Sequence, residues 1–246
     1  MSSDKSFLAL RLEGPLQSWG FDSQYNRRNT GLMPTKSAVA GMCCAALGFS
    51  RGSQKEQLFL EDFREVRMIA IAIPRNGAKK ELAVRRLQDY HTVGGGYDPN
   101  NPDERGSITV SAEDGKPRAK NGQSLAVLTQ RQYLTDASFG VLLEGDATLL
   151  KQVAAALENP VWGVWFGRKT CIPTAPVLAG LRGDRNEALS LFIGDRPLEF
   201  FTRQEDVTNF ADGRDSLPDV PVSFASERRL FSPRRVRTVQ GKRITE

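Results

Sequence analysis

The chain has 246 residues, of which 39% are hydrophobic and 26% are charged, and its formal net charge is +5. This length allows one large domain or two small ones around a buried core, and the composition is that of a water-soluble globular protein. Because no apolar run reaches membrane-spanning length and the first residues lack a signal-peptide pattern, we expect a cytoplasmic protein that makes no membrane contact.

Cysteine and histidine usage argues against both a disulfide framework and a metal centre. The three cysteines, Cys43, Cys44 and Cys171, are odd in number, and two adjacent cysteines do not have a zinc-ligand spacing. A single histidine in the sequence does not support a histidine-based metal site. We therefore expect no cofactor, and we interpret the cysteines as small buried hydrophobic residues in a reducing compartment.

Basic residues are grouped beside turn residues and aromatic residues. Arg27 and Arg28 occur in NRRNTG, Arg168 and Lys169 occur in FGRKT, and residues 226–238 read SERRLFSPRRVRT. Basic clusters that alternate with aromatic residues are typical of nucleic-acid-binding surfaces, although a solvated face is the ordinary interpretation of any single cluster.

Hydrophobic periodicity and turn residues divide the first two thirds of the chain into alternating strands and helices. In chain order the predicted elements are a strand over 7–12, a helix from Pro34 and Thr35 to Gly48, a helix over 55–64, a strand over 66–74, a strand over 138–145, a helix capped by Asp146, and a strand within 161–171. This order, βαββαβ, predicts an α+β fold of the ferredoxin-like type. The exposed sheet of that fold is also the RNA platform of RRM proteins.

Residues 94–123 form a polar tract almost without large apolar side chains. Structureless insertions of this length inside a domain are usually functional or disordered. The flanking segments, 85–93 and 129–136, carry the alternating and aromatic residues of paired strands. The region from about 87 to 133 is therefore predicted to be a long hairpin with a mobile tip.

In the last third of the chain the sequence pattern predicts strands less clearly than before, together with one short helix over 186–191. We interpret residues 1–172 as the ferredoxin-like domain and residues 173–246 as an attached β-rich subdomain with a flexible tail.

Five sequence blocks, taken together, resemble one protein family. The blocks LRLEGPLQSWG, PTKSAVAGMCCAALG, LQDYHTV, QRQYLTDASFGVLL and WFGRKTCIPTAPVLAG occur in this order between residues 7 and 180, and FASERRLF gives a weaker match. They resemble the CasD family of type I-E CRISPR surveillance complexes (Cascade), within the RAMP superfamily of RNA-binding Cas proteins.

The resemblance implies a non-catalytic RNA-binding subunit of an antiviral ribonucleoprotein complex. Such a subunit holds the 5′ handle of the CRISPR RNA, caps the filament of backbone subunits and helps to seat the large subunit that recognises the protospacer-adjacent motif. It meets target DNA through the complex. The hairpin over 87–133 would be the β-hairpin thumb of this family.

The loop over 14–20, GPLQSWG, is a candidate RNA contact. Gly14 allows a close approach of the backbone, Gln17 offers an amide, and Trp19 offers a flat ring on which a base could stack. Such stacking contributes ~1–3 kcal/mol per base. The alternative, that Trp19 is a core residue folded under the loop, is equally open, since tryptophan is highly buried on average.

Basic side chains are the candidate phosphate contacts. They are Arg27, Arg28, Lys36, Arg131, Arg168 and Lys169. Lys36 is singled out because it lies in the first turn of its helix, where free N–H groups and the helix dipole favour phosphate. For each of these residues an ordinary solvated position is the alternative.

Tyr90 and His91 lie at the root of the predicted hairpin and are candidates for stacking or hydrogen bonding to RNA. A second function is also open, a metal-independent endoribonuclease that processes precursor CRISPR RNA, because His91 is the imidazole that could take the 2′-hydroxyl proton. The family branch that the chain resembles leaves cleavage to a separate subunit, so we predict no enzymatic activity. A general RNA-binding module outside CRISPR is the third alternative.

Overall fold

The computed structural model describes residues 4–20, 26–74, 85–93, 119–120, 123–124 and 127–242. Within these ranges the strands and α-helices are, in chain order, β1 Lys5–Glu13, β2 Leu16–Gln17, β3 Arg27–Arg28, α1 Lys36–Leu47, α2 Gln54–Arg64, β4 Arg67–Ala72, β5 Arg85–Val93, β6 Ala119–Lys120, β7 Gln123–Ser124, β8 Val127–Thr135, β9 Ser138–Asp146, α3 Ala147–Glu158, β10 Leu178–Arg182, α4 Arg185–Ile193, β11 Arg203–Asp206, β12 Asp215–Ser223 and β13 Leu230–Val239. The fold is mixed α+β, as predicted.

The helices begin at the capping residues that the sequence indicated. The Thr35 hydroxyl accepts a hydrogen bond from the backbone N–H of Ala38, and the Asp146 carboxylate accepts from two backbone N–H groups of α3. Gly48 ends α1 in the left-handed conformation, with φ of 72°. Because these local signals act within one helical turn, the predicted helix bounds agree closely with the observed ones.

One seven-stranded antiparallel sheet has the order β10-β1-β9-β4-β11-β13-β12. The strands of the last third therefore continue the sheet that the first two thirds begin. The prediction of a strand within 161–171 is wrong. The strand that pairs with this edge of β1 is β10. The segment 161–171 is a loop because its N–H groups bond to the end of α1 and within the loop itself, as in Val161 N–H to the Ala46 carbonyl at 2.9 Å.

Helices cover both faces of the central strands. Leu8, Leu10 and Leu12 of β1 point into the larger core, which α1, α2 and α3 cover, whereas Ala9 points into a second core against α4. This alternation follows from the two-residue period of a strand. The open sheet face expected by analogy with RRM proteins is therefore absent over these described strands, because α4 occupies it.

A smaller sheet is built around β8. Strand β5 pairs with β8 in antiparallel register from Arg85 opposite Thr135 to Val93 opposite Val127, so the predicted pairing of the two flanking segments is confirmed. Strands β2 and β3 also pair with β8. The predicted mobile tip lies, except for the short paired strands β6 and β7, outside the described residues.

Cysteine burial agrees with the sequence interpretation. Cys43, Cys44 and Cys171 are buried free thiols, and burial raises the pKa of Cys44 to about 12. The described part of the chain contains no cluster of three or more His, Cys, Asp or Glu side chains suited to a metal ion. In the same ranges no helix has the length and apolar character needed to cross a bilayer.

Candidate nucleic-acid interface

Trp19 is a core residue. Its side chain is fully buried, its ring centroid lies 5.8 Å from that of Phe166, and its indole N–H donates to the Gln17 side-chain oxygen at 3.1 Å. The interpretation that the Trp19 ring stacks on an RNA base is therefore wrong for this conformation, because the ring has no exposed face.

Gln17 and Gly14 also serve the packing of their loop. The Gln17 amide nitrogen donates to the carbonyl oxygens of Leu12 at 3.0 Å and Ala137 at 2.8 Å, inside the protein. A Cβ atom at Gly14 would lie 2.7 Å from the Ile172 carbonyl oxygen. The close backbone approach expected at Gly14 is thus made to the chain itself, and neither residue presents a polar side-chain atom at the surface.

The loop over 14–20 and the loop over 161–172 are in backbone contact. The N–H of Ser18 donates to the Phe166 carbonyl at 3.0 Å. Gly167 has a φ of 88°, and a Cβ atom there would lie 1.8 Å from the Ser18 carbonyl oxygen, so only glycine fits. This contact places Arg168 and Lys169 beside Ser18 and Gly20, on the same side of the molecule.

These two loops form one side of a cavity of about 760 Å³. Small residues of α1, among them Ser37, Ala38, Gly41 and Ala45, form its floor. Aromatic side chains line it as well, namely Phe49, Trp162, Trp165, Phe224 and Phe231. Because the α1 residues carry so few side-chain atoms, the space between the helix and the aromatic residues stays open.

Among the described residues, five cationic side chains line the same cavity, and they are Arg28, Arg51, Arg168, Lys169 and Arg229. No ion pair among the described residues includes Arg28, Arg51 or Arg229. Partial burial, and then repulsion from Arg51 and Arg28, lowers the pKa of Arg229 from its ordinary value. Attraction to the Glu56 carboxylate opposes this lowering. Guanidinium groups that repel one another are suited to binding an anion.

Arg168 connects the cavity to the β8 sheet. Its guanidinium donates to the carbonyl oxygens of Gln132 at 3.2 Å and Arg28 at 2.8 Å, and its centre lies 4.7 Å from the centroid of the Tyr133 ring. Two of its donors are thus committed to holding β3 near β8. Lys169 is exposed, and its ammonium lies 5.8 Å from the Trp165 ring centroid.

Lys36 does not reach the cavity. Its ammonium is buried, donates to the carbonyl oxygens of Arg64 at 3.0 Å and Val66 at 2.5 Å, and lies 3.8 Å from the Asp206 carboxylate. Burial lowers its pKa. The Asp219 carboxylate already accepts from the Lys36 backbone N–H at 2.9 Å. The phosphate contact expected at this helix N-terminus is therefore wrong, because a carboxylate of the chain itself fills the position.

The other predicted site residues lie along the β5–β8 hairpin. Arg27 and Arg28 lie opposite Gln130 and Arg131 on one edge of β8, and Tyr90 lies opposite Gln130 on the other edge. The Arg131 Nε–H donates to the Thr129 hydroxyl at 3.0 Å. Arg28 belongs to both the hairpin sheet and the cavity, so it joins the two groups of candidates.

His91 and Tyr90 point to opposite faces of β5, as neighbouring residues of a strand must. The His91 ring is 3.1 Å from the Asp89 carboxylate, and the Tyr90 side chain is 66% exposed. The two groups therefore do not act on one reacting centre in this conformation.

Arg51, Glu56 and Arg229 are cavity residues that the sequence did not single out. Arg229 lies in the basic cluster over 226–238, and that cluster did indicate a nucleic-acid-binding surface. Arg51, in contrast, follows α1 in an ordinary turn. The sequence near Phe224 does not indicate that this side chain packs over α1. In the structure a Cβ atom added at Gly41 would lie 3.9 Å from the Phe224 ring.

Comparison with known proteins gives consistent matches over most of the chain. The family described as CRISPR-associated protein (Cas_Cas5) matches residues 7–237. The CRISPR system Cascade subunit CasD of Escherichia coli (strain K12) is 31% identical over 181 residues, which cover 72% of this chain and 71% of that protein.

Solved structures of similar shape come from the same class of protein. A chain of a CRISPR RNA-guided surveillance complex superposes with a TM-score of 0.70 at 28% identity, covering 95% of this chain and 89% of the other. A crystal structure of a Cas protein superposes with a TM-score of 0.61 at 26% identity, covering 98% of both chains.

Proposed function

The chain belongs to the Cas_Cas5 family of CRISPR-associated proteins, and on this basis we propose that it is the Cascade subunit that holds the 5′ handle of the CRISPR RNA. Its relatives include a Cascade subunit and a chain of an RNA-guided surveillance complex. The observation that carries the proposal is the cavity over α1, where arginines that form no ion pair with any described residue stand beside aromatic side chains.

This combination suits single-stranded RNA. Arg28, Arg51 and Arg229 bind the phosphates, and each contact releases counter-ions from the strand. Trp162 and Trp165 supply ring faces on which unpaired bases stack. A volume of about 760 Å³ accommodates at least one nucleotide, since pockets for ligands of comparable size span ~300–1,000 Å³.

The β5–β8 hairpin is the thumb in this proposal, and it contacts the backbone subunits. Leu87, Tyr90 and Leu128 are large side chains that remain exposed on it. Arg168 holds the root of the hairpin at the cavity, so a bound handle and a docked neighbour share one support. The large subunit binds beside the handle, and target DNA is met through the assembled complex in the cytoplasm.

The first part of the chain is a ferredoxin-like domain in this proposal. The antiparallel order β10-β1-β9-β4, with helices after β1 and β9, supports the assignment. The division into this domain and a C-terminal β-rich part stays a prediction. Strand β10, which belongs to the ferredoxin-like order, lies after the predicted boundary at residue 172.

We assign no catalysis to the chain. Cleavage at a 2′-hydroxyl requires a base and an acid at one reacting centre. His91 pairs with Asp89, and Tyr90 points to the other face of β5, which supports a binding role.

Purified protein and labelled RNA test the proposal. The probe is a single strand carrying the 5′ end that repeat processing leaves on the CRISPR RNA of the same organism, and the matched control is the same strand with that end scrambled. We expect tighter binding of the handle by fluorescence anisotropy, without cleavage in EDTA. Equal binding of both strands would contradict handle recognition, and specific cuts that disappear in His91→Ala would establish the endoribonuclease instead.

A further inference from the structure

Arg168 lines the cationic cavity, but its guanidinium is bonded to the chain itself. One terminal nitrogen donates to the Gln132 carbonyl oxygen at 3.2 Å, and the other donates to the Arg28 carbonyl oxygen at 2.8 Å. The guanidinium carbon also lies 4.7 Å from the centroid of the buried Tyr133 ring. Arginine binds phosphate most strongly when two of its nitrogens donate side by side. In Arg168 each terminal nitrogen already has a carbonyl oxygen as its partner.

The two carbonyl groups belong to strands that meet at the root of the β5–β8 hairpin. Gln132 lies in β8, and Arg28 lies in β3, a strand of two exposed residues. Because strands usually have 3–10 residues, pairing at two positions holds β3 weakly. The chain after β3 is held at Thr30, whose hydroxyl accepts from the Trp19 backbone N–H at 2.8 Å. Arg168 supplies a further bond at Arg28 itself.

Arg28 differs from Arg168 in the surroundings of its side chain. It lines the cavity, and among the described residues it takes part in no ion pair. Burial, followed by repulsion from Arg51 and Arg28, lowers the pKa of Arg229, so Arg28 stands close to the other cavity arginines. Since a side chain starts from its own backbone, the bond to the Arg28 carbonyl fixes the point from which the Arg28 guanidinium enters the cavity.

We propose that Arg168 is a positioning residue for the RNA site, which acts through Arg28 and does not itself bind a phosphate. This inference rests on the proposed function and divides the cavity cations into two roles. Arg28 binds a phosphate, and Arg168 holds the Arg28 backbone against β8. Because the same guanidinium bonds to β8, it sets the position of this phosphate contact relative to the hairpin.

Arg168→Lys separates positioning from charge. Lysine keeps the positive charge that a phosphate contact needs, but it lacks the planar pair of donors that reaches two carbonyl groups while stacked on Tyr133. A direct phosphate contact would therefore survive this substitution in large part. Positioning of Arg28 would not survive it.

The measurement is the affinity of the full chain for handle RNAs in which each phosphate in turn is replaced by a neutral methylphosphonate. The phosphate that Arg28 binds is the one whose replacement weakens binding by the unchanged protein but not by Arg28→Gln. We expect Arg168→Lys to bind the unmodified handle about tenfold more weakly, as loss of a hydrogen bond to a charged group does. It should lose sensitivity to replacement of that same phosphate and of no other.

Arg51→Gln is the matched control, because Arg51 lies in the turn after α1 and the Arg168 side chain donates to other residues. It should lose sensitivity at a different phosphate and keep it at the Arg28 phosphate. Arg168→Lys added to Arg28→Gln should weaken binding no further, since both changes remove one contact. Added to Arg51→Gln, it should weaken binding by the full factor of about ten.

Arginine side-chain NMR of the unchanged protein tests the inference without a variant at residue 168, even where Arg168→Lys folds poorly. Handle RNA should shift the side-chain N–H signals of Arg28 much more than those of Arg168. A shift of equal size at Arg168 would show direct phosphate binding and would overturn the inference.

Other results overturn the inference too. Loss of sensitivity at a different phosphate in Arg168→Lys would make Arg168 a contact in its own right, and full sensitivity in that variant would show that charge alone suffices. Equal weakening with every RNA would reduce Arg168 to a structural residue. If no phosphate depends on Arg28 but the handle is still preferred over its scrambled control, the inference fails and the proposed function stands. No preference for the handle would overturn both.

Discussion

Two groups of basic side chains in this protein have opposite surroundings. Lys36 and Arg234 are buried among carboxylates. Arg28, Arg51 and Arg229 line an open cavity, and no ion pair of the described residues includes them. The same residue types therefore support the fold in one place, and in the other they line a cavity that we propose binds RNA.

The buried group joins the helical layer to the last strands of the sheet. Arg234 donates to both Asp219 oxygens, at 2.6 and 2.9 Å, and pairs with Asp206 as well. Asp219 also accepts from the Lys36 backbone N–H, and Asp206 from that of Met68. Each charge in this group is compensated inside the protein, so none is left for an external phosphate.

The difference shows that a basic residue becomes informative about function only once its counter-ions are known. Burial with partners makes Lys36 and Arg234 structural, whereas repulsion from Arg51 and Arg28 is the reason that we propose Arg229 as a binding residue. Substitutions in the two groups should consequently change different measured quantities.

The largest expected effect is on stability. Arg234→Gln leaves the buried Asp219 carboxylate without its cation and leaves Asp206 with Lys36 alone, and it should lower the free energy of unfolding by about 3–5 kcal/mol. Urea denaturation measures this change. Lys242→Gln, which breaks an exposed ion pair with Glu199, should lower the free energy of unfolding by less than about 1 kcal/mol. Equal losses in the two variants would contradict a structural role for the buried group.

The next effect concerns the cavity floor. Gly41→Leu places a side chain in the open space of the cavity. A Cβ atom at this position lies 3.9 Å from the Phe224 ring, so the remaining leucine atoms extend into the cavity. The substitution also improves helix propensity by roughly 0.5–1 kcal/mol. Handle RNA should bind about 100-fold more weakly because stacked bases are displaced. Thermal denaturation should show a protein at least as stable, and Gly41→Ala should bind RNA nearly normally. Unchanged RNA affinity in Gly41→Leu would place the strand elsewhere.

A smaller effect is expected at one aromatic side chain. Trp162 is 44% exposed at the cavity, and Trp162→Leu removes a face for base stacking worth ~1–3 kcal/mol. Anisotropy titrations should show about a tenfold loss of RNA affinity. Phe210→Leu provides the control, because Phe210 is 75% exposed and lies outside the cavity. Similar losses in both variants would point to a general change rather than to stacking.

Much of the fold could be predicted because its signals are local. The caps of α1 and α3 lie within a turn of the groups they bind, and the alternation of β5 and β8 is visible in each strand. The position of β10 and the joining of β11–β13 to the same sheet depend on pairings between distant segments. The glycines of the 161–172 loop gave no sign that Ser18 would lie against Gly167.

The site was predicted in part for the same reason. Arg28, Arg168 and Lys169 belong to basic clusters and do line the cavity. Lys36 was misassigned because the carboxylate that fills its helix N-terminus, Asp219, is 183 residues away in sequence. Arg51 could not be recognised because its neighbour Arg229 reaches it only through the tertiary fold.

The salt dependence of handle binding tests the central claim most directly, namely that the unpaired arginines of the cavity hold RNA phosphates. The slope of log affinity against log salt should become shallower by ~0.7 for each phosphate contact removed, in Arg51→Gln and in Arg229→Gln. Arg64→Gln, an exposed arginine of α2 outside the cavity, should keep the slope of the unchanged protein. If the slope decreases equally in all three variants, or decreases in none of them, the cavity is not where the RNA backbone binds.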